Sequence, residues 1–355
     1  MHFKPKFLAT AIGSMPHNHP AKAVDLILAN LPEAPLWPQL PRLGLNEQME
    51  IQFSESMPCA VVDRDKGRLY FETSGDYSEA FAAFYQAYFA ATEDPAGDCS
   101  AMAISPAFAQ GLHALASRLE TEGSKRPYVK VQTTGPCSFA LTITDEHKRA
   151  IYYNEEFRDL IVKALALKCR WQIQKFRPFA ERTICFIDEP ILSAFGSSTY
   201  VSVQRREVVA HLKEVVEAVH AEQGLAGIHC CGNTEWTIPI DAGVDIVNLD
   251  AFTFGETLLM YSDAVKAHLA RGGAIAWGLV PTSRAVREQT VETLVAQFDG
   301  LADRLAAKGL SRQLICEQAM ITPACGTGSM EIADAERVLE LLGLVSEALQ
   351  AKHPG

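Results

Sequence analysis

The stretch "GIHCCGNTEW", residues 227–236, sets His229, Cys230 and Cys231 directly after an apolar run. Imidazole nitrogen and thiolate sulfur are zinc donors, and a catalytic zinc site takes about three protein ligands while keeping one position open. If the run is a strand, alternate side chains point to the same side. His229 and Cys231 then form a pair, and Cys230 turns into the packing layer. A pair is not yet a site. Cys325, in "TPACG" after another apolar run, is the best third donor, and Asp250, which ends "VDIVNLD", could add an oxygen. Each residue alone reads as an ordinary packing or loop residue. Their joint placement after apolar runs is what favours a metal.

Other polar stretches read differently. Asp188 and Glu189 are adjacent acids after "TICFI"; in an extended chain they face opposite ways, so one can face a pocket while the other caps or pairs. "GTGSM", residues 326–330, has no lysine in the P-loop position and reads as a turn before a helix. His17 and His19 in "MPHNHP" read as solvated loop histidines, and Trp277 and Phe252 as core or pocket wall. The cysteines at 59, 99, 137, 169, 185, 230, 231, 316 and 325 are odd in number and scattered, which excludes a disulfide framework and makes most of them small buried hydrophobes.

The elements that would position these groups alternate between short apolar strands and longer amphipathic helices. Strands are expected at 7–13, 128–135, 183–190, 225–232, 244–250, 273–280 and 318–326. Helices are expected at 21–31, 156–179, 204–223, 256–271, 292–308 and 333–351. An eighth strand is sought at 57–63 or 99–104. The Pro-rich run 31–44 cannot be regular, because proline removes a donor and blocks helix interiors, and it reads as an excursion from the core near 31–60. Repeated strand–helix units with apolar strands imply a parallel sheet covered by helices. The fold class expected is α/β: a (β/α)8 TIM barrel, one domain over residues 1–355. An open doubly wound sheet is the second choice, weakened by the absence of a Gly-x-Gly-x-x-Gly turn. In such a barrel the active site lies where the strands end, which is where the His, Cys and Asp residues fall.

The chain carries a formal charge of −11 and 48% hydrophobic residues over 355 positions. That balance supports a large core and argues against nucleic acid or an anionic membrane as the main partner. No apolar run approaches the roughly 20 residues that span a bilayer. The N-terminus lacks the apolar core of a signal peptide, so a cytoplasmic protein is expected.

The residues also resemble a known group. "TAIGSMPH", "TTGP", "IDEP", "HCC" and "TPACG" occur in order between about residues 8 and 327. Together they are similar to the C-terminal catalytic barrel of cobalamin-independent methionine synthase and to the cobamide-dependent methyltransferases of the uroporphyrinogen decarboxylase superfamily. The resemblance implies a zinc ion that activates a thiol substrate, with His229, Cys231 and Cys325 as ligands. It makes Asp250 the counterpart of a glutamate ligand, one methylene shorter. It gives Ile12, Gly13, Ser14 and Asp188 to the amino acid part of homocysteine, and more loosely Glu47 or Glu50. Full-length methionine synthases of that kind carry a second, N-terminal barrel. Its absence here shifts the expected methyl donor from folate toward a methylated corrinoid such as methylcobalamin, usually held on another protein.

A thiol with a pKa near 8.5 is mostly protonated at neutral pH, whereas the thiolate is the nucleophile. The leading expectation is therefore a zinc-dependent methyltransferase of methionine-forming or cobamide-linked type, in which Asp188 binds the substrate ammonium and backbone donors at Gly13 and Ser14 bind its carboxylate. A metal-free decarboxylase like uroporphyrinogen decarboxylase is the alternative. It fits less well, since it needs basic groups for a polycarboxylate and no thiols. A non-catalytic zinc- or corrinoid-binding protein is the third reading, and it would have no use for Asp188.

Overall fold

The structure, a computed structural model, describes residues 3–94 and 97–354. The central sheet has seven parallel strands: β1 (Leu8–Ala9), β4 (Arg126–Thr134), β6 (Ala180–Asp188), β7 (Leu225–Cys230), β8 (Ile246–Leu249), β9 (Ala274–Val280) and β10 (Ala319–Pro323). Their spatial order is β1-β10-β9-β8-β7-β6-β4. Three short strands, β2 (Ala60–Asp63), β3 (Arg68–Phe71) and β5 (Thr144–Asp145), form a separate small sheet. The helices Glu155–Phe176, Arg205–Ala221, Val291–Ala307 and Ile332–Lys352 fall within a few residues of the positions expected from the apolar periodicity.

The strands are buried on both faces, and alternate residues serve two different cores. One set, including Ile184, Phe186, Leu225, Ile246, Ala274, Ala276 and Met320, packs inside the curl of the sheet. The other set, including Cys185, Ile187, Ile228, Cys230, Val247 and Leu249, packs against the helices. This two-sided burial is why the strands read as almost continuous apolar runs.

The α/β class and single domain hold, but regular strands account for seven positions, and a full eight-stranded barrel is not established. Neither proposed eighth strand joins the sheet. Residues 60–63 pair antiparallel with β3 in the small sheet, and 99–104 contain a short 3-10 turn. The Pro-rich segment instead lies along both edges of the main sheet. Tyr128 N donates to Glu33 O (2.9 Å) and Lys130 N to Pro35 O (2.8 Å) on one side. Gln39 N donates to Gly13 O (3.0 Å) and Met15 N to Gln39 O (2.9 Å) on the other. Pro32, Pro35 and Pro38 bring no N–H, so this ladder is sparse and the segment stays irregular. Its Leu31, Ala34, Leu36, Trp37 and Leu40 are nonetheless fully buried. The first strand is correspondingly short, because beyond Ala9 its neighbour on one side is this proline-broken segment.

Candidate metal centre

Four residues on adjacent strands stand at one level near the strand ends: Thr134 opposite Asp188, Asp188 opposite His229, and His229 opposite Asn248. His229 is buried, and its Nδ1 lies 2.6 Å from Asn248 Oδ1. Asn248 Nδ2 donates to Ala276 O (2.8 Å) and to Thr322 Oγ1 (2.7 Å), so the oxygen of this amide is the atom that faces histidine. An amide oxygen only accepts. Nδ1 therefore carries the proton and Nε2 keeps its lone pair. That Nε2 is buried and has no partner.

What it faces is sulfur. The ligand atoms of His229, Cys231 and Cys325 all lie within 4.8 Å of one another, the one such group of three or more among the described residues. Donors around a tetrahedral zinc stand about 3.3–3.8 Å apart at ordinary Zn–N and Zn–S lengths. A neutral imidazole nitrogen and two thiolates suit zinc, and the Asn248 bond is the outer support that fixes a metal-bound histidine. The nearness of Cys325 and His229 holds the Cys231 thiol below the usual thiol range, and that of Cys325 is raised in turn. Cys230 is fully buried against the helix layer, where burial pushes its thiol up to about 12.

The adjacent acids divide their roles. Asp188 follows the interior face of β6, and its Oδ1 is buried without a partner. Burial raises its carboxyl to about 6 against the opposing pull of Lys130 and His229. Glu189 turns the other way. It accepts from Cys137 N (2.9 Å), Ser138 N (2.8 Å) and Ser138 Oγ (2.6 Å) at the start of the helix Pro136–Thr142. Gly135 makes this possible, since a Cβ there would lie 2.1 Å from Glu189 Cδ.

The loop after β1 meets the loop after β10. Thr327 N (2.8 Å) and Thr327 Oγ1 (3.0 Å) both donate to Ser14 O, and Gly326 gives Ser14 room, as a Cβ there would lie 2.1 Å from Ser14 Oγ. Cys325 is carried on this clasp. The N–H groups of Gly13 and Ser14 have no protein acceptor among the described residues. Ile12 is buried in the interior, and its carbonyl accepts from Lys130 Nζ.

Two expected site residues commit carboxylate oxygens to other protein groups. Glu47 is buried with both oxygens engaged, accepting from Gln110 N (2.9 Å) and Gln52 Nε2 (3.1 Å), and Gln52 Oε1 in turn accepts from Gln39 Nε2 (3.0 Å). It braces the rim rather than presenting a free carboxylate. Asp250 stands outside the three-residue cluster. Its Oδ1 caps the short helix Ala251–Phe254 by accepting from Thr253 N (2.8 Å), and burial raises its carboxyl. His17, read as solvated, is buried, with Nε2 3.5 Å from Glu336. His19 is exposed, as expected.

Two interior polar residues, Lys130 and Asn248, are not singled out by the sequence reading, and Thr134 enters it only as part of the strand end "TTGP". Lys130 is fully buried, bonds to Gln132 Oε1 (3.0 Å) and sits 4.9 Å above the Phe186 ring. The signal was present. In "YVKVQTTG" the polar residues 130, 132 and 134 alternate with 129, 131 and 133, and Asn248 is a lone polar residue between Val247 and Leu249.

The class this defines is a parallel α/β fold with its polar site at the strand ends. No family model matches the chain, and no curated protein matches it. Solved structures do. One is a methyltransferase from Methanosarcina mazei, with a TM-score of 0.56 and 14% identity over 94% of this chain and 87% of that one. Another is a candidate vitamin-B12-independent methionine synthase from Listeria monocytogenes, with a TM-score of 0.56 and 11% identity over 96% and 97%. At these identities the likeness is one of fold. No helix among the described residues is long and apolar enough to cross a membrane.

Proposed function

We propose that this chain is a zinc-dependent methyltransferase that methylates a thiol bearing an amino acid head, homocysteine or a close relative. The observation that carries the reading is the buried, partnerless Nε2 of His229 facing the sulfurs of Cys231 and Cys325. Leaving such an atom unmet costs about 1–3 kcal/mol, which a bound ion removes. The methyltransferase and methionine synthase names of the two structural neighbours support the choice of reaction. The methyl donor in this reading is a methylated corrinoid, free or carried by a partner protein, with a methylated folate as the competing donor.

His229, Cys231 and Cys325 would hold the ion, which would supply the Lewis acidity that makes a substrate thiol anionic near neutral pH. Asp188 binds the substrate ammonium, which meets its partnerless Oδ1. The free N–H groups of Gly13 and Ser14 take the carboxylate. Asn248 keeps His229 in the tautomer that leaves Nε2 open. The substrate sulfur forms its bond to the methyl carbon as the donor–methyl bond breaks, and the thiol proton leaves to solvent. The polar groups are fixed by neighbouring strands before substrate arrives, so little reorganisation accompanies the transfer.

The test is metal analysis with methyl transfer from methylcobalamin and from methyltetrahydrofolate to a thiol panel that includes homocysteine and coenzyme M. The expected result is about one zinc per chain and methylated homocysteine. Purified protein that holds no zinc after metal-replete expression would overturn the reading.

A further inference from the structure

Thr134 ends β4 beside Asp188, fully buried, and its Oγ1 has no partner. The two polar side chains that precede it on this face, Lys130 and Gln132, are bonded. Lys130 Nζ donates to Ile12 O and Gln132 Oε1, and Gln132 Nε2 donates to Trp37 O (3.0 Å). Thr133 turns outward to Cys169 on the helix Glu155–Phe176, so Thr134 faces the interior by strand alternation. A buried hydroxyl without a partner is uncommon and needs a reason.

Resting on the function proposed above, we propose that the Thr134 hydroxyl is a second acceptor for the substrate ammonium and makes the site selective for thiols that carry an amine. An ammonium brings three donors. Asp188 Oδ1 takes one, and Thr134 Oγ1, at the register-paired position on the next strand, takes another. A substrate carboxylate does not fit the same spot, because it would meet the Asp188 charge. Lys130 Nζ is held lower in the interior by Ile12 O and Gln132 Oε1. An amine-free thiol leaves both acceptors buried and unmet, which is how a site built around a hydrogen-bonding group rejects the analogue that lacks it.

The test uses the cobalt-substituted full chain, whose thiolate-to-cobalt absorption reports thiol binding directly. Homocysteine and 4-mercaptobutanoate, which differ by the amine, are titrated into the parent protein, Thr134→Val and Thr134→Ser. Valine keeps the shape and removes the oxygen. The expected result is homocysteine binding weakened about 10- to 100-fold by valine, 4-mercaptobutanoate binding changed less than about twofold, and recovery with serine. Should the valine variant not fold, Thr134→Ala serves in its place. Equal losses for both thiols, or unchanged homocysteine binding, would overturn the role of Thr134 alone. A parent protein that shows no thiolate band with either thiol would overturn the proposed function and this inference with it.

Discussion

Replacing Asn248 with alanine separates the two duties of one buried amide. In the metal-free protein the change strips partners from His229 Nδ1, Thr322 Oγ1 and Ala276 O. At about 1 kcal/mol or more for each buried group left unmet, the loss is roughly 3 kcal/mol. Unfolding a chain of 355 residues carries about 0.75 kcal/mol per kelvin of entropy. The melting temperature should therefore fall by only about 4 °C, and the protein remains folded. Zinc affinity should suffer separately, because nothing then holds the Nδ1 proton in place. Loss of such an outer support weakens metal binding about 10- to 100-fold. The assay is competition for zinc against a chromophoric chelator, run beside thermal unfolding of the metal-free protein. Asn248→Asp keeps an acceptor for Nδ1, so it should hold zinc nearly as well as the parent while losing the bond to Ala276 O. If Asn248→Ala lowers the melting temperature but binds zinc with parental affinity, Asn248 only ties strands together, and the tautomer assignment for His229 is wrong.

Three further outcomes follow from the same geometry. Cys231→Ala and Cys325→Ala should lose zinc on gel filtration, whereas Cys230→Ala keeps it and loses only about 1 kcal/mol of packing; metal retention with the order reversed would refute the strand-parity assignment. Asp188 has its folded pKa raised to about 6, above the usual carboxylate value, so its stabilising contribution is full below about pH 4 and is lost as the pH rises through about 6. Asp188→Asn should thus be more stable than the parent above about pH 6, by roughly 3 kcal/mol for a rise of about two pH units. Denaturant titrations across pH would show it, and equal stability throughout would exclude a strained, unpaired carboxylate. Glu189→Gln should move the other way. An amide cannot accept all three hydrogen bonds at the start of Pro136–Thr142, so stability should drop by about 2 kcal/mol below about pH 7; burial raises the Glu189 carboxyl to about 7, so the loss shrinks as the pH rises through that value. A neutral or stabilising result would show that the cap is dispensable.

Residue alternation made much of this site legible in advance. Period-two reasoning on "GIHCCG" separates Cys230 from Cys231, and the strand-end rule brings in Cys325 from almost a hundred residues away. The same alternation on β4 and β8 puts Lys130, Thr134 and Asn248 inside the sheet. The Pro-rich segment was harder. Composition shows that it is irregular, but nothing in it shows that buried, irregular backbone runs along both sheet edges, because its partners, Gly13 and Lys130, are distant in sequence. Asp250 and Glu47 illustrate a further limit. A carboxylate at the right position can commit an oxygen to a helix cap, or both to backbone and a glutamine, and only three-dimensional neighbours decide that.

β1 pairs with β10, Leu8 opposite Met320, and the last sulfur of the cluster follows that strand at Cys325. During synthesis this order has a consequence. A ribosome that has released the first 300 residues has made His229, Cys231, Asp188 and both ends of the Gly13–Ser14 turn, but no third metal donor and no partner for β1. The apolar edge of β1 has to wait for a strand made more than 300 residues later, which is the costly kind of contact to form early. Assembly of the proposed metal site and closure of the N-terminal edge would therefore coincide, since both need the segment 319–325. A chain stopped before residue 319 would keep His229 and Cys231 at the end of β7 but lack Cys325, so the proposed zinc site would be incomplete until that last strand is made.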